Sequence, residues 1–441
     1  MKLYSDTKVY ILCPANIHSG GPELCHQLCS QLIQFGVNAS MLYTQINSNF
    51  NPADPVHDLY KKYHVPYTFA PEDSEHNVLI LPETSSVGLY LFKKIQRVFW
   101  WLSVDNYIKS ISQVIDGQMS NALSEPMPKF FYFDKADGDL EHWVQSEYAR
   151  QFIKLNGVPE NKIYVVEDYL RQDFLLSAAQ IDLNRKQNII AFNPLKGTEV
   201  TANIISHAPE LNWRLIENMT PAQVQELLAK AKVYIDFGEH PGRDRIPREA
   251  AISGCVVITG RRGAAANSVD INIPAEFKFD DGDPQQVIEK ICAVFKNFRA
   301  AYDKQADYRA RILDDKNRFI REVALVFGIK NSPVPSVALT GLNRKSFLLI
   351  EKLFRSGELV PKFIIDDVMA VVKFSTDLIT RVQNRNYLRV GENLVEIISR
   401  ADAKFLYREG RIKKFALSEP LDWELAEVKN FYEADAVILE D

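Results

Sequence analysis

Short apolar runs alternate with polar and amphipathic stretches from the start of the chain. Lys8–Cys13 is a β-rich apolar run, and a polar loop, Pro14–Gly21, follows it. Pro22–Phe35 then carries apolar residues at helical spacing, with proline at the first position, and Val37–Tyr43 returns to a strand pattern. This order predicts a strand–loop–helix–strand unit, from which doubly wound parallel sheets are built.

The same alternation continues through two longer series of elements. In the first series we expect further strands at Val78–Leu81, Arg97–Val104, His142–Ser146 and Ile163–Val166, and a helix at Glu147–Leu155. In the second we expect strands at Asn188–Phe192, Trp213–Ile216, Lys232–Phe237 and Cys255–Thr259, with helices at Thr198–Ser206, Thr220–Ala231, Asp283–Phe298 and about 300–327. Two Rossmann-like α/β domains follow from this pattern.

A third, smaller α/β module is predicted after the linker Asn331–Pro335. Its expected strands are Ser336–Leu339, Lys362–Ile365, Lys404–Tyr407 and Asp435–Leu439. The predicted domains are therefore residues 1–168, 169–330 and 336–441. Because the chain stops directly on the last expected strand, we expect the natural protein to be longer.

Composition narrows the class of protein. The 441 residues are 46% hydrophobic and 25% charged, which is typical of globular proteins and excludes disorder, coiled coil or collagen as the main state. A net charge of −5 argues against binding nucleic acid through the whole surface, so no nucleic-acid partner is expected. Five scattered cysteines indicate a reducing compartment, and no apolar run reaches about 18 residues. We expect a cytoplasmic protein.

The segment Val233–Gly260 carries the main chemical signal. A strand is followed by a polar loop, and Arg248–Ala251 is expected to open a helix, with Glu249 in its first turn. Ligands of parallel sheets bind at this carboxyl edge. A carboxylate there can accept both hydroxyls of a ribose, while helix N–H groups and nearby arginines can face a phosphate. The candidate arginines are Arg243, Arg245 and Arg248.

The run from Glu249 to Ile258, with Glu-Ala, then Ser-Gly and an apolar strand, resembles the donor motif of a large, mostly retaining family of nucleotide-sugar glycosyltransferases. These enzymes have the GT-B fold, in which two Rossmann-like domains face a cleft. The resemblance implies that fold here, with the C-terminal α/β module appended. It also implies that Glu249 binds the donor ribose.

One half of that motif departs from the family. The family's other glutamate lies eight positions earlier, and that position is Pro241 here. Glu239 and Asp244 flank it, and either could supply the missing carboxylate. His240 lies beside the gap and is a further catalytic candidate, although a loop histidine without function is nearly as plausible.

Weaker resemblances extend over about 330 residues. Asn193, Lys196 and Gly197 look like the family's loop that carries Lys-Gly, which implies that Lys196 neutralises the donor diphosphate. A lysine after a strand end, near a helix N-terminus, is also a natural phosphate contact on physical grounds. The reading of Lys196 as a plain surface lysine stays open.

The first glycine-bearing loop of the chain looks like the family loop that faces the cleft. It supplies His18, Gly20 and Gly21 as candidates; His18 could contact the donor phosphate or the acceptor, or have no function. Asp105, after the expected strand Arg97–Val104, could act as an acceptor-side base or be a turn or capping residue.

No acidic pair forms an evident metal cage, and the enzymes that the sequence resembles usually need no metal, so neither a metal nor a cofactor is expected. The stretch Leu89–Val104 mixes basic and aromatic residues. It could dock on an anionic membrane, but a helix followed by a buried strand explains it as well.

The resemblance implies transfer of a sugar from a nucleotide-sugar donor to a glycan or lipid-linked acceptor, in bacterial surface polysaccharide synthesis as in bacterial relatives. The resemblance also implies a reaction that needs no metal and retains the anomeric configuration. Two alternatives remain open: a GT-B protein that has lost catalysis and serves as a scaffold, and a sugar-nucleotide epimerase or another Rossmann-type ligand binder.

Overall fold

A computed structural model describes residues 1–44, 51–115, 131, 133, 140–171, 174–175 and 181–329. Beyond these it describes 336–340, 360–365, 379–382, 385–390, 393–398, 403, 414–418 and 436–439. The described chain forms two compact units, residues 1–170 with 183–328, and residues 171–182 with 329–441.

The first sheet of the larger unit has seven parallel strands in the order β3-β2-β1-β4-β5-β6-β7. They are β1 (Lys8–Pro14), β2 (Asn38–Thr44), β3 (Tyr67–Thr68), β4 (Val78–Pro82), β5 (Gln96–Trp101), β6 (Glu141–Val144) and β7 (Ile163–Val165). Its helices are α1 (Gly20–Gln34), α2 (Val104–Ile115) and α3 (Glu147–Leu155). Strand β4 is wholly buried because both faces of the sheet are covered.

The second sheet has five parallel strands in the order β12-β11-β10-β8-β9. They are β8 (Gln187–Phe192), β9 (Asn212–Leu215), β10 (Ala231–Asp236), β11 (Val256–Gly260) and β12 (Lys278–Phe279). The helices are α4 (Thr198–His207), α5 (Pro221–Lys230), α6 (Arg245–Ile252), α7 (Pro284–Lys296), α8 (Phe298–Asp303) and α9 (Ala306–Val326). Two doubly wound sheets confirm the predicted α/β class.

Two element boundaries differ from the prediction in ways that affect the candidate site. Helix α6 begins at Arg245, three residues earlier than expected, because Pro247 falls in its first turn, where the missing N–H is not needed. Strand β5 ends at Trp101, and α2 begins at Val104. The Ser103 hydroxyl accepts the Asn106 N–H at 3.2 Å, which caps the start of this helix.

The smaller unit contains a seven-stranded sheet in the order β15-β16-β17-β14-β13-β18-β19. Its strands are β13 (Ser336–Thr340), β14 (Val360–Ile365), β15 (Ile379–Val382), β16 (Arg385–Val390), β17 (Asn393–Ile398), β18 (Lys414–Ser418) and β19 (Ala436–Leu439). Five are parallel, and β15 and β16 extend the sheet in antiparallel pairing. The sequence prediction missed β15 to β18, while Lys404–Tyr407 and the linker Asn331–Pro335 lie outside the described residues.

No helix in the described part of the chain is long and apolar enough to cross a membrane. Within the stretch Leu89–Val104, the chain forms strand β5, whose Val98–Trp101 side chains are buried. A short 3-10 helix, Glu83–Tyr90, precedes it.

Candidate functional site

The loop between β10 and α6, residues 238–244, is held by both halves of the larger unit. On its own side, the Gly238 N–H donates to Asp236 Oδ1 at 3.0 Å, and the His240 carbonyl accepts from the Ala264 N–H at 2.8 Å. From the first sheet, the Val104 N–H donates to the Pro241 carbonyl at 3.2 Å. The loop therefore bridges the carboxyl edges of the two sheets.

Gly242 allows the loop after β10 to approach the ends of β5 and β6 closely. A Cβ at this position would lie 2.6 Å from the Leu102 carbonyl oxygen and 2.7 Å from Gln145 Oε1. The next residue, Arg243, donates its N–H to the same Gln145 oxygen at 3.2 Å. The loop thus packs directly on the ends of β5 and β6, where only a glycine leaves room.

His240 is fully buried in this loop between two carboxylates. Its Nε2 lies 3.5 Å from Asp236 Oδ1, and its Nδ1 lies 3.2 Å from Asp244 Oδ2. Burial lowers the pKa of His240, but the charges of Asp236 and Asp244 outweigh burial and raise the pKa above its ordinary value of 6.5. The arrangement favours an imidazolium between two aspartates.

This arrangement makes the stability of the fold depend on pH. The raised pKa means that His240 stabilises the folded state fully below pH 6.5, and that this contribution is lost as pH rises through the folded pKa. We expect H240Q to lower the free energy of unfolding at pH 6, with a smaller deficit at pH 9; each unit of pKa shift is worth about 1.4 kcal/mol.

Urea unfolding at the two pH values measures this difference. The exposed His207 on α4 provides the control, and H207Q is expected to keep wild-type stability at both. If H240Q loses more unfolding free energy at pH 9 than at pH 6, His240 is not protonated in the folded protein, and the assignment is contradicted.

Lys196 joins the cluster from the loop after β8. Its Nζ lies 2.6 Å from Asp244 Oδ2. Burial raises the pKa of Asp244, but the hydrogen bond with His240 and the charge of Lys196 outweigh it and lower the pKa. Asp244 is the N-cap residue of α6, and Gly197 is the N-cap residue of α4. Lys196 therefore directly precedes α4 in the chain, and its ammonium group contacts the N-cap residue of α6.

Gly197 allows this approach of the two loops. Its φ is +58°, and a Cβ there would lie 2.2 Å from the Phe237 carbonyl oxygen. We expect G197A to lower the free energy of unfolding by about 2–4 kcal/mol, from backbone strain plus the clash. Gly36 (φ +77°) has no atom within 4 Å of such a Cβ, so G36A is expected to cost only about 1 kcal/mol of strain. Equal losses for the two variants would contradict the clash.

A third helix N-terminus approaches from the first sheet. Gly20 and Gly21 open α1, and a Cβ on Gly20 would lie 3.5 Å from Nε of Arg245, the first residue of α6. The Arg245 guanidinium pairs with Glu23 in the first turn of α1. The N-termini of α1, α4 and α6 thus converge around Asp244 and Arg245, in an arrangement suited to binding an anion.

The other two predicted phosphate-facing arginines are enclosed by carboxylates. Arg243 pairs with Glu167 and, at 2.8 Å, with Asp315. Arg248 pairs with Asp168 at 2.7 Å and with the same Asp315 at 3.2 Å. Both guanidiniums are buried, so in this arrangement neither faces an open cleft. Their role here is to join the α6 loop to α9 and to the segment after β7.

The two carboxylates that flank Pro241 have different surroundings. Asp244 belongs to the cluster with His240 and Lys196, whereas the exposed Glu239 pairs with Arg262 at 2.5 Å. Glu249 is half-buried and is the fifth residue of α6. It therefore lies in the second turn, not in the first turn as predicted.

The remaining predicted residues are spread around this cluster. Asn193 supports the Lys196 loop, since its Oδ1 accepts the Leu195 N–H at 3.0 Å. His18 is exposed, and its ring stacks on that of His57 with centroids 5.3 Å apart.

Asp105 lies in the first turn of α2. The Tyr148 hydroxyl donates to its Oδ1 at 3.2 Å. Burial raises the pKa of Asp105, and the charges of Glu239 and Asp244 raise it further. The charges of the loop after β10 therefore act on Asp105, although Asp105 lies on α2, in the half of the unit that carries the first sheet.

Sequence reasoning missed Asp236, Gln145 and Tyr148. Asp236 could have been found, because it is the last residue of a buried strand at the carboxyl edge. No local pattern marks Gln145 or Tyr148, whose contacts lie 98 and 43 residues away in the chain.

Asp236, His240 and Asp244 also form a candidate metal centre, with ligand atoms within 4.8 Å of one another. The geometry suits a divalent cation poorly. The two ring nitrogens face different carboxylates, so one ion could not use both, and Lys196 already pairs with Asp244. The residues fit a protonated histidine better than a metal.

Comparison with known proteins adds evidence at the level of the fold. No protein-family model and no curated protein matches the sequence. A solved glycosyltransferase structure from Rickettsia africae is similar to the chain, with a TM-score of 0.50 and 14% identity, covering 74% of this chain and 100% of that one. The chain has the GT-B fold.

A second solved structure supports the same assignment. HepE from Anabaena, in complex with UDP and glucose, has a TM-score of 0.51 and 12% identity, covering 73% of this chain and 99% of that one. The likeness to both GT-B proteins covers about three quarters of the chain, and the expected fold is thereby confirmed.

Proposed function

We propose that this protein transfers a sugar from a nucleotide-sugar donor to a glycan or lipid-linked acceptor. The observation that carries the proposal is the position of Lys196, which directly precedes α4 and pairs with the N-cap residue of α6, while Arg245 of α6 lies against the N-terminus of α1. A diphosphate requires such a set of fixed positive charges and N–H groups. The UDP and glucose bound to HepE support a UDP-sugar as the first donor to test.

On the donor side, Lys196 exchanges Asp244 for the diphosphate. Asp244 keeps His240 as its partner, so its charge stays compensated when the lysine turns to the ligand. Glu249 accepts hydrogen bonds from the ribose hydroxyls. Negative charge develops on the diphosphate as the sugar–phosphate bond breaks. A positioned lysine therefore stabilises the transition state more than the bound donor.

In the transfer step, an acceptor hydroxyl oxygen forms a bond to the anomeric carbon on the same face from which the diphosphate departs, as the carbon–oxygen bond to the diphosphate breaks. The electron pair of that bond leaves with the nucleoside diphosphate. The hydroxyl proton passes to Asp105, whose raised pKa suits a proton acceptor. Asp244 or Glu239 faces the sugar from the donor side.

Two further features belong to the proposal. The reaction needs no metal, because Lys196 and the helix N-termini supply the positive charge. The product retains the anomeric configuration, as the family resemblance implies. A cytoplasmic site for building bacterial surface polysaccharide, in peripheral contact with the membrane, is the setting we propose.

Release of nucleoside diphosphate from purified protein tests the proposal. The protein is incubated with each of several nucleotide sugars and simple sugar acceptors, with and without EDTA, and the product is analysed by NMR. We expect release from at least one donor, unchanged by EDTA, and a new glycosidic bond of retained configuration.

The same assay separates the two alternatives. A protein that binds the donor but neither transfers the sugar nor slowly hydrolyses the donor would be a GT-B scaffold. Pro241, in the place of the family's first glutamate, is the feature that favours this alternative. Interconversion of the free nucleotide sugar without an acceptor would favour an epimerase. Either result would overturn the proposal.

A further inference from the structure

Asp270 joins the half of the larger unit that carries the second sheet to the start of α3 in the other half. Its Oδ1 accepts the Glu147 N–H at 2.8 Å, and its Oδ2 accepts the Tyr148 N–H at 2.9 Å. The side chain is buried, with 1% of its surface exposed. A carboxylate at this position satisfies two N–H groups that the helix itself leaves unpaired and complements the helix dipole.

A local turn holds the carboxylate of Asp270 in place. Asn267 Oδ1 accepts the N–H groups of Val269 and Asp270, both at 2.8 Å. Its Nδ2 donates to Asp270 Oδ2 at 2.8 Å. The turn thus fixes the carboxylate before it meets α3, and Ser146 caps the same helix separately through the Ala149 N–H.

The second residue of α3 continues this chain of contacts to the candidate acceptor side. The backbone N–H of Tyr148 donates to Asp270, and the Tyr148 hydroxyl donates to Asp105 Oδ1 at 3.2 Å. Both Tyr148 and Asp105 are half-buried, so a ligand can reach them. The charged groups that act on Asp105 are Lys109 on its own helix and Glu239 and Asp244 on the loop after β10.

We propose that Asp270 and Tyr148 are positioning residues that fix Asp105 relative to the donor-binding half of the protein. This inference rests on the proposed function for the role of Asp105, although the contacts themselves do not. Asp270 acts through the backbone of α3, and Tyr148 acts through its hydroxyl. Displacement of a reacting group by about 1 Å can cost about 100-fold in rate, so such an anchor has a measurable consequence.

The two residues share a signature that a purely structural role would lack. A hydroxyl that donates to the ionised form of Asp105 lowers its pKa against the effect of burial. Loss of this bond in Y148F should raise the pKa of Asp105. If Asp270 holds Tyr148 in place, D270N should raise it too, although Asp270 lies on another element and does not contact Asp105.

Titration of the Asp105 carboxyl carbon by NMR measures this directly. The signal is assigned by its loss in D105N, and the pKa is compared in wild type, Y148F and D270N. We expect an upward shift of about half a unit to one unit in both variants. The control is D283N, which changes the N-cap of α7 in the same half without touching α3, and should leave the pKa unchanged.

A milder variant keeps the proposal testable if D270N does not fold. N267A removes the amide that orients Asp270 and keeps the carboxylate itself. It should shift the pKa of Asp105 in the same direction by a smaller amount. An unchanged pKa in Y148F, or in the folded Asp270 or Asn267 variant, would overturn the proposal.

Transfer kinetics then separate this inference from the proposed function. We expect D270N and Y148F to lower kcat about tenfold or more, to move the acidic limb of its pH profile upward, and to leave the donor KM within about twofold. Wild-type protein that binds no donor would refute the proposed function but not the titration result. An unshifted pH profile in active variants would refute the inference alone.

Discussion

Replacement of Lys196 by alanine is expected to weaken donor binding by about 10- to 100-fold, equivalent to about 1.5–3 kcal/mol for contacts to a charged group. Lys196 is the lysine that meets Asp244 beside the N-termini of α4 and α6. Its loss removes a fixed positive charge from the diphosphate site and leaves Asp244 with His240 alone. Isothermal titration with the donor that binds wild type measures the change.

The matched control is Lys230 at the end of α5 in the same half of the protein. It is a half-exposed lysine paired with Glu226 one helical turn away, so K230A is expected to bind the donor as wild type does. E249A is expected to lose affinity for the nucleotide as well, through the ribose. Wild-type affinity in both K196A and E249A would contradict the assigned site.

Replacement of Arg248 by methionine is expected to lower the free energy of unfolding by about 3–5 kcal/mol. Arg248 is 1% exposed and pairs with both Asp168 and Asp315. Methionine fills much of the same volume but leaves those two carboxylates buried with only Arg243 and Arg245 to compensate them. Chemical denaturation at pH 7 measures the loss.

An arginine on the surface of α9 provides the control. Arg321 is 60% exposed and pairs with Asp314 at 3.0 Å, and exposed pairs contribute about 0–1 kcal/mol. R321M should therefore unfold close to wild type. A loss in R248M no larger than in R321M would mean that the buried arginines do not hold the α6 loop to its neighbours.

The fold of the first two sheets was largely predictable from the sequence. The run Val78–Leu81 is apolar throughout, because strands of a parallel sheet are buried on both faces. The start of α6 was not predictable in the same way. Pro247 is compatible both with a helix that begins after it and with one that contains it in the first turn, and the second is the case here.

The sequence could predict where the candidate site lies in the fold, but not which side chains pair with each other there. Lys196 and Asp244 follow strands of one sheet, so their proximity follows from topology. The pairing of Arg248 with Asp168 and Asp315 spans 80 and 67 residues of chain. Nothing local in the sequence distinguishes these arginines from phosphate ligands, and only the folded chain brings their carboxylates to them.

Binding of a nucleotide sugar by the purified wild-type protein tests the central claim most directly. Thermal unfolding is followed against increasing concentrations of UDP-, GDP-, CMP- and dTDP-sugars. A ligand that binds only the native state stabilises it by RT times the logarithm of one plus the ratio of its concentration to its Kd. We expect one nucleotide class to raise the melting temperature with concentration, and K196A to lose most of that rise. No rise with any of these nucleotide sugars at millimolar concentration would contradict the account.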